Sequence, residues 1–265
     1  MEWLGLAAAL GLAGFSFRYT WWRLPRRGVP ILQYHRIGPD TGPVSSSRLQ
    51  IPAAIFARQL DTLRGLGYQA VTLSQALGER PPRKPVVLTF DDGYADFHYQ
   101  AWPLLKERGM TATVFLVTGA LDGEVHWYRE QGEQPLPMLT RLQVRELFAQ
   151  GVEFGGHSHR HRDLTTLDDR GLMHEVTGCQ KVLTDLLGRP ARVFAYPYGR
   201  ANGLAAQAVR RAGFISACTM KPGLLNQKCK RLSLPRIPIN AKDNRLDFRL
   251  KLSRSRSRIR NGTEK

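Results

Sequence analysis

From Pro30 to Ile239, short continuous apolar runs alternate with longer segments in which apolar positions recur every three or four residues. The first kind predicts strands buried on both faces, and the second predicts amphipathic helices packed over them. Strands are expected at residues 31–35, 68–73 and 86–90, and the last two flank a loop marked by Pro81, Pro82 and Pro85. Further strands are expected at 111–117, 152–154, 193–196, 214–220 and 234–239. Between them lie helices at 51–66 (apolar side Ile55, Leu60, Leu63), 95–108, 140–150 (capped by Thr140), 167–187 and 204–211. Gly67, Gly109, Gly151, Gly188 and Gly213 come after these helices as stop signals. Residues 119–137 read as a loop-rich insertion.

Such alternation gives a largely parallel sheet covered by helices. Seven or eight units in about 220 residues predict a β/α barrel, in which residues at the C-terminal ends of strands carry the chemistry. An open doubly wound sheet is the alternative. No internal repeat is visible.

The two ends of the chain read differently. Residues 1–23 hold an apolar run from Trp3 to Phe17, then Tyr19, Trp21 and Trp22, which suit a membrane interface. This predicts an N-terminal membrane anchor, with a cleaved signal peptide as the rival reading. Glu2 and the lack of an early positive charge favour the anchor. Arg18, Arg23, Arg26 and Arg27 come after the apolar run, so the positive-inside rule favours the cytoplasmic face for the body of the chain. Residues 251–265 alternate Ser with Arg and are expected to form a basic disordered tail after a domain at 30–250.

Charge and cysteine content narrow the picture. A net charge of +17 gathers at the two ends and favours an anionic partner, here a membrane surface. No RNA-binding fold motif accompanies the tail, so no nucleic-acid partner is expected. Cys179, Cys218 and Cys229 form no CxxC pair, which argues against a cysteine zinc site and a disulfide framework.

Three segments at predicted strand ends carry candidate chemistry. Thr89-Phe-Asp-Asp-Gly-Tyr94 sets two carboxylates after a buried strand. Asp92 alone would serve as a helix cap, but a second buried carboxylate is costly without a cation. Gly155-Gly-His-Ser-His-Arg-His161 comes after another strand, its glycines allowing a sharp turn. A helical turn would bring His157 and His161 to one side as two ligands of one metal, with His159 pointing away. A surface histidine cluster is the plainer alternative. Phe194-Ala-Tyr-Pro-Tyr-Gly199 gives a turn that walls a pocket, or an ordinary β–α turn.

In this order and spacing the three segments resemble the polysaccharide deacetylase family, also called the NodB-homology family. Its T-F-D-D-G matches Thr89–Gly93, its H-[ST]-x-x-H matches His157–His161, and its x-P-Y-G matches Tyr196–Gly199. The resemblance implies a distorted (β/α)7 barrel and hydrolysis of an N-acetyl group on an amino sugar. It implies Asp91 as general base, Asp92, His157 and His161 as ligands of a divalent metal (Zn, or else Co, Ni or Fe), and the N–H of Tyr198 as an oxyanion donor.

Two departures stand out. The Arg that many members carry two residues before the third motif's Pro is Ala195 here, and the late Leu-x-His motif is absent. Arg236 and His35 are the expected substitutes, because a closed barrel brings its first and last strands together. Tyr34-His-Arg36, with the later motifs, looks most like the poly-N-acetylglucosamine deacetylase branch. The expected partner is an N-acetylated glycan or a lipid-linked amino sugar. A catalytically inactive glycan-binding barrel is the alternative.

Overall fold

The computed structural model describes residues 24–25, 27–38, 49–125 and 135–255. Strands β1 (Ile31–Tyr34), β2 (Arg36–Gly38) and β3 (Gln50–Pro52) precede helix α1 (Ala53–Gly65). Next come β4 (Gln69–Val71), the short α2 (Leu73–Ala76) and β5 (Pro85–Phe90). A π-helical turn, Phe97–Ala101, leads into α3 (Trp102–Glu107) and β6 (Thr113–Leu116). The antiparallel pair β7 (Glu124–Val125) and β8 (Leu136–Pro137) precedes α4 (Arg141–Ala149) and β9 (Glu153–Gly156). The chain continues through α5 (Asp169–Leu187), β10 (Val193–Ala195), α6 (Gly203–Arg211), β11 (Ser216–Pro222), β12 (Leu234–Pro238) and α7 (Arg245–Arg254).

The sheet closes. β5, β6, β9, β10, β11 and β12 run side by side in parallel, and β1 pairs with both β12 and β5. The result is a seven-stranded barrel, as the resemblance implied, and the open-sheet alternative falls. β4 stays outside the ring. It pairs with the start of β5 (Val71 opposite Val87), on the edge that β6 takes further along (Phe90 opposite Val114).

The two-residue strand period sorts side chains between two cores. Val86, Leu88 and Phe90 of β5 join a large cluster beneath the helices, which α1 covers with Phe56, Leu60 and Leu63. Val87 belongs instead to a smaller cluster with Ile31, Phe115, Val193 and Leu234, inside the ring. The same alternation turns Gln33, Thr89, Asp91 and Arg236 inward above that apolar floor.

Local rules account for the element ends. Thr140 accepts the Gln143 N–H and Gln143 reaches back to the Thr140 N–H, a capping box worth about 1 kcal/mol. The expected helix at 95–108 begins instead as a π-turn, and Pro103, which has no N–H to donate, sits at the junction with α3. α7 corrects the expected tail boundary. Lys251 is buried within it, bonding the Pro238 carbonyl at 2.7 Å and Asp243 at 2.6 Å. The anchor expected at 1–23 and the remainder of the tail lie outside the described residues. Among the described residues, no helix is long and apolar enough to cross a membrane.

Candidate active site

β5 ends at Phe90, and the next two residues are the paired carboxylates. Asp92 takes a left-handed backbone (φ 73°), uncommon for a residue with a Cβ. Its Oδ1 lies 3.4 Å from His157 Nε2 and 3.3 Å from His161 Nε2, with all three side chains buried. One donor atom from each falls within 4.8 Å of the others.

The histidines reach this point by a different route from the one expected. Residues 157–161 form no helical turn. Ser158 (φ 65°) and His161 (φ 57°) both adopt left-handed conformations, and that loop brings the rings together, centroids 5.1 Å apart. Gly155 also differs in role. It lies within β9 rather than in a turn, and a Cβ there would come 2.5 Å from the Val193 carbonyl oxygen. Glycine is needed for strand packing. His159 points away as expected, its Nδ1 bonding Thr118 Oγ1 at 3.0 Å.

The donor set fits a divalent cation. His157 Nδ1 donates to the Ala195 carbonyl at 2.7 Å, which fixes the tautomer and leaves the Nε2 lone pair facing Asp92. Burial disfavours a charge on Asp92, but His161 and His157 outweigh it and hold the carboxyl well below its ordinary range. Burial likewise disfavours a cation on His157, yet Asp92 and Asp91 outweigh that penalty and raise its proton affinity. The position attracts positive charge, and one carboxylate with two imidazoles is a donor set that zinc-like ions accept.

Asp91 occupies a separate environment. Arg236, wholly buried on β12, grips it bidentately, Nη1 to Oδ1 at 2.6 Å and Nη2 to Oδ2 at 2.8 Å. Arg236 Nε is in turn anchored on the Thr219 carbonyl at 3.1 Å. Burial opposes ionisation of Asp91, but Arg236 first, then His157 and His35, keep its affinity for a proton below the ordinary carboxylate value. His35 comes just after β1 and brings Nε2 to 3.9 Å from Asp91 Oδ2. Burial lowers its proton affinity more than the two carboxylates restore it. Thus the two expected substitutes, Arg236 and His35, both reach Asp91.

Tyr198 stands at the mouth. It is 51% exposed, its backbone is left-handed (φ 57°), and its ring lies 4.8 Å from that of His161. Gly199 (φ 63°) presses against β11, where a Cβ would fall 2.3 Å from Met220 Cγ. A cavity of about 160 Å³ joins Asp91, Asp92, His157, His161, His35 and Tyr198. One lining residue was not legible in the sequence. Gln33 donates from Nε2 to Asp91 Oδ2 at 2.8 Å. Its signal was a polar residue at the centre of a buried strand.

A closed parallel barrel with ionised carboxylates and imidazoles at the C-terminal ends of its strands defines a hydrolase of the carbohydrate deacetylase class. The chain belongs to the polysaccharide deacetylase family, whose sequence model matches residues 78–217. It is 24% identical over 198 residues to the poly-beta-1,6-N-acetyl-D-glucosamine N-deacetylase of Staphylococcus aureus (strain MRSA252), covering 70% of this chain and 66% of that protein. Among solved structures, it resembles the Streptococcus pyogenes deacetylase PplD in complex with acetate, with a TM-score of 0.73 and 27% identity, covering 86% of this chain and 99% of that one. IcaB from Ammonifex degensii is similar, with a TM-score of 0.69 and 27% identity, covering 82% and 94%.

Proposed function

We propose that the protein removes the acetyl group from N-acetylglucosamine units of a glycan, using Asp91 as general base beside a divalent ion held by Asp92, His157 and His161. The observation that carries this reading is the division of labour between adjacent carboxylates: Asp92 faces two imidazoles, whereas Asp91 is bound to Arg236. A zinc-like ion, when bound, supplies Lewis-acid polarisation of the acyl carbonyl and a lowered pKa for water.

The chain's own groups do the rest. Asp91, ionised, accepts the proton of the attacking water. Arg236 holds its plane and compensates its charge. The Tyr198 N–H, on a turn pinned by Gly199 against Met220, is the candidate donor to the developing oxyanion. His35, beside Asp91, is the candidate acid for the leaving amine. The inactive-barrel alternative drew on the missing Arg at Ala195 and the missing late His; Arg236 brings a guanidinium to Asp91, and His35 lies 3.9 Å from the same carboxylate.

The N-acetylglucosamine polymer is favoured by likeness to the staphylococcal enzyme, which is named for such a substrate. A lipid-linked amino sugar and a membrane location rest on residues 1–23 and the basic ends alone. The test is acetate release from N-acetylglucosamine oligomers together with bound-metal content, for wild type, Asp91→Asn and His157→Ala. Asp91→Asn is expected to keep metal and lose turnover, and His157→Ala to lose both. A folded wild type with neither metal nor release overturns the reading. Fractionation of cells expressing the chain with and without residues 1–23 tests the anchor.

A further inference from the structure

Gln33 occupies an unusual position for a carboxamide. It sits mid-strand in β1, 2% exposed, opposite Thr89 of β5 on one side and Pro238 of β12 on the other. The seam of the barrel therefore delivers it between Asp91 and Arg236. Its amide orientation is set by chemistry: an ionised carboxylate only accepts, so the group facing Asp91 Oδ2 at 2.8 Å is the NH2. That leaves Oε1 buried with no hydrogen-bond partner among the described residues. A buried acceptor without a partner is costly, so packing alone does not favour Gln over Leu or Met here.

The lone pairs of Asp91 explain what the residue does. A carboxylate offers about four acceptor directions, two on each oxygen. Oδ2 receives Arg236 Nη2 at 2.8 Å and Gln33 Nε2 at 2.8 Å, so both of its directions are taken. Among the described residues, Oδ1 receives only Arg236 Nη1, at 2.6 Å. We infer that Gln33 is a positioning residue that saturates Oδ2 of Asp91, so that Oδ1 is the atom that accepts the proton from the attacking water. The role of the proton rests on the deacetylase reading, whereas the contact itself does not. Without Gln33 the carboxylate would keep its guanidinium but have two competing proton-accepting atoms.

The test pairs kinetics with folding, using the full metal-loaded chain and N-acetylglucosamine oligomers. Gln33→Met keeps length and apolar volume but removes donor and acceptor. It is expected to lower kcat roughly ten- to hundredfold, the worth of one hydrogen bond to a charged group, while KM changes less than about threefold and metal content is unaltered. In denaturant unfolding, the effect of Gln33→Met should shrink by roughly half or more in an Asp91→Ala background, because the bond it breaks is then already gone. Gln33→Asn, which withdraws the amide by one methylene, replaces the Met variant if that does not fold. An unchanged kcat in a wild type that does release acetate overturns the inference and leaves the deacetylase reading intact. If wild type releases no acetate, the substrate reading has failed, and the unfolding cycle decides alone: additive effects overturn the inference and coupled effects support it.

Discussion

Arg236 and Asp91 form a buried ion pair whose value lies in geometry rather than stability. Two desolvated charges repay their burial only when further hydrogen bonds support them, and here the Thr219 carbonyl accepts from Arg236 Nε and Gln33 donates to Asp91 Oδ2. Removing one partner is therefore expensive. Arg236→Met is expected to cost about 3–5 kcal/mol, read from denaturant unfolding, because Asp91 is left charged and buried. Arg236→Lys keeps the charge but loses the fork, so kcat should fall with a smaller loss of stability. A second pair titrates where it is easily tracked. Asp96 receives Arg36 Nε at 3.1 Å, yet burial outweighs Arg36 and raises its carboxyl to about 6. Its folded affinity for a proton exceeds the unfolded one. Its contribution to stability is thus full below the ordinary carboxylate pKa and is lost as pH rises through about 6, an effect on the order of 3 kcal/mol. The difference in unfolding free energy between wild type and Asp96→Asn should therefore change between pH 4 and pH 7, and parallel curves would refute it. Arg236 and His35 were legible in the sequence because their counterparts were missing from the usual motif positions. Gln33 was hidden, since a lone polar residue in an apolar strand has no periodicity to announce it.

At the scale of elements, β9 and α7 carry the sharpest consequences. Gly155→Ala drives a methyl against a backbone oxygen of β10, which has no side chain to swing aside. A loss of about 1–3 kcal/mol is expected, with a matching loss of bound metal because His157 comes directly after this strand. Thermal unfolding and metal analysis of the one variant check both. α7 bears on the charge of the chain. Ser/Arg alternation read as disorder from Lys251 onward, but the local composition was overridden by burial of Phe248, Leu250 and Leu252 and by the Lys251–Asp243 pair. Truncation after Asn244, which removes α7, should lower Tm sharply, as calorimetry would record. Most helices lay where apolar spacing and glycine stops put them. The histidine loop did not, because i and i+4 spacing fits a helical turn equally well, and only Ser158 and His161, by taking left-handed backbones, choose otherwise.

For the whole molecule, the alternation of strands and helices was enough to specify parallel layers but not closure. Closure depends on β12 meeting β1, a contact between residues some two hundred positions apart that no local pattern encodes. The site adds its own demand on the fold. With Asp92 ionised between His157 and His161, chelation of a resident ion should lower Tm and abolish turnover, and readdition of Zn²⁺ should restore both, the gain in Tm growing with the free metal concentration. Retained far-UV circular dichroism in the chelated protein would separate loss of the ion from loss of the barrel.

The seam where β1 meets β12 has a consequence in time as well as space. The proposed general base is residue 91, but its guanidinium arrives only with residue 236, after most of the chain has been made. A nascent chain that has passed His161 but not reached Arg236 holds the carboxylates and the histidines yet lacks the partner that lets Asp91 be buried as an anion. The order of synthesis thus delays completion of the active centre until the last strand is threaded, and a ribosome-stalled series ending between residues 220 and 255, each followed by a tether long enough to clear the exit tunnel, should gain protease resistance and turnover at the same length.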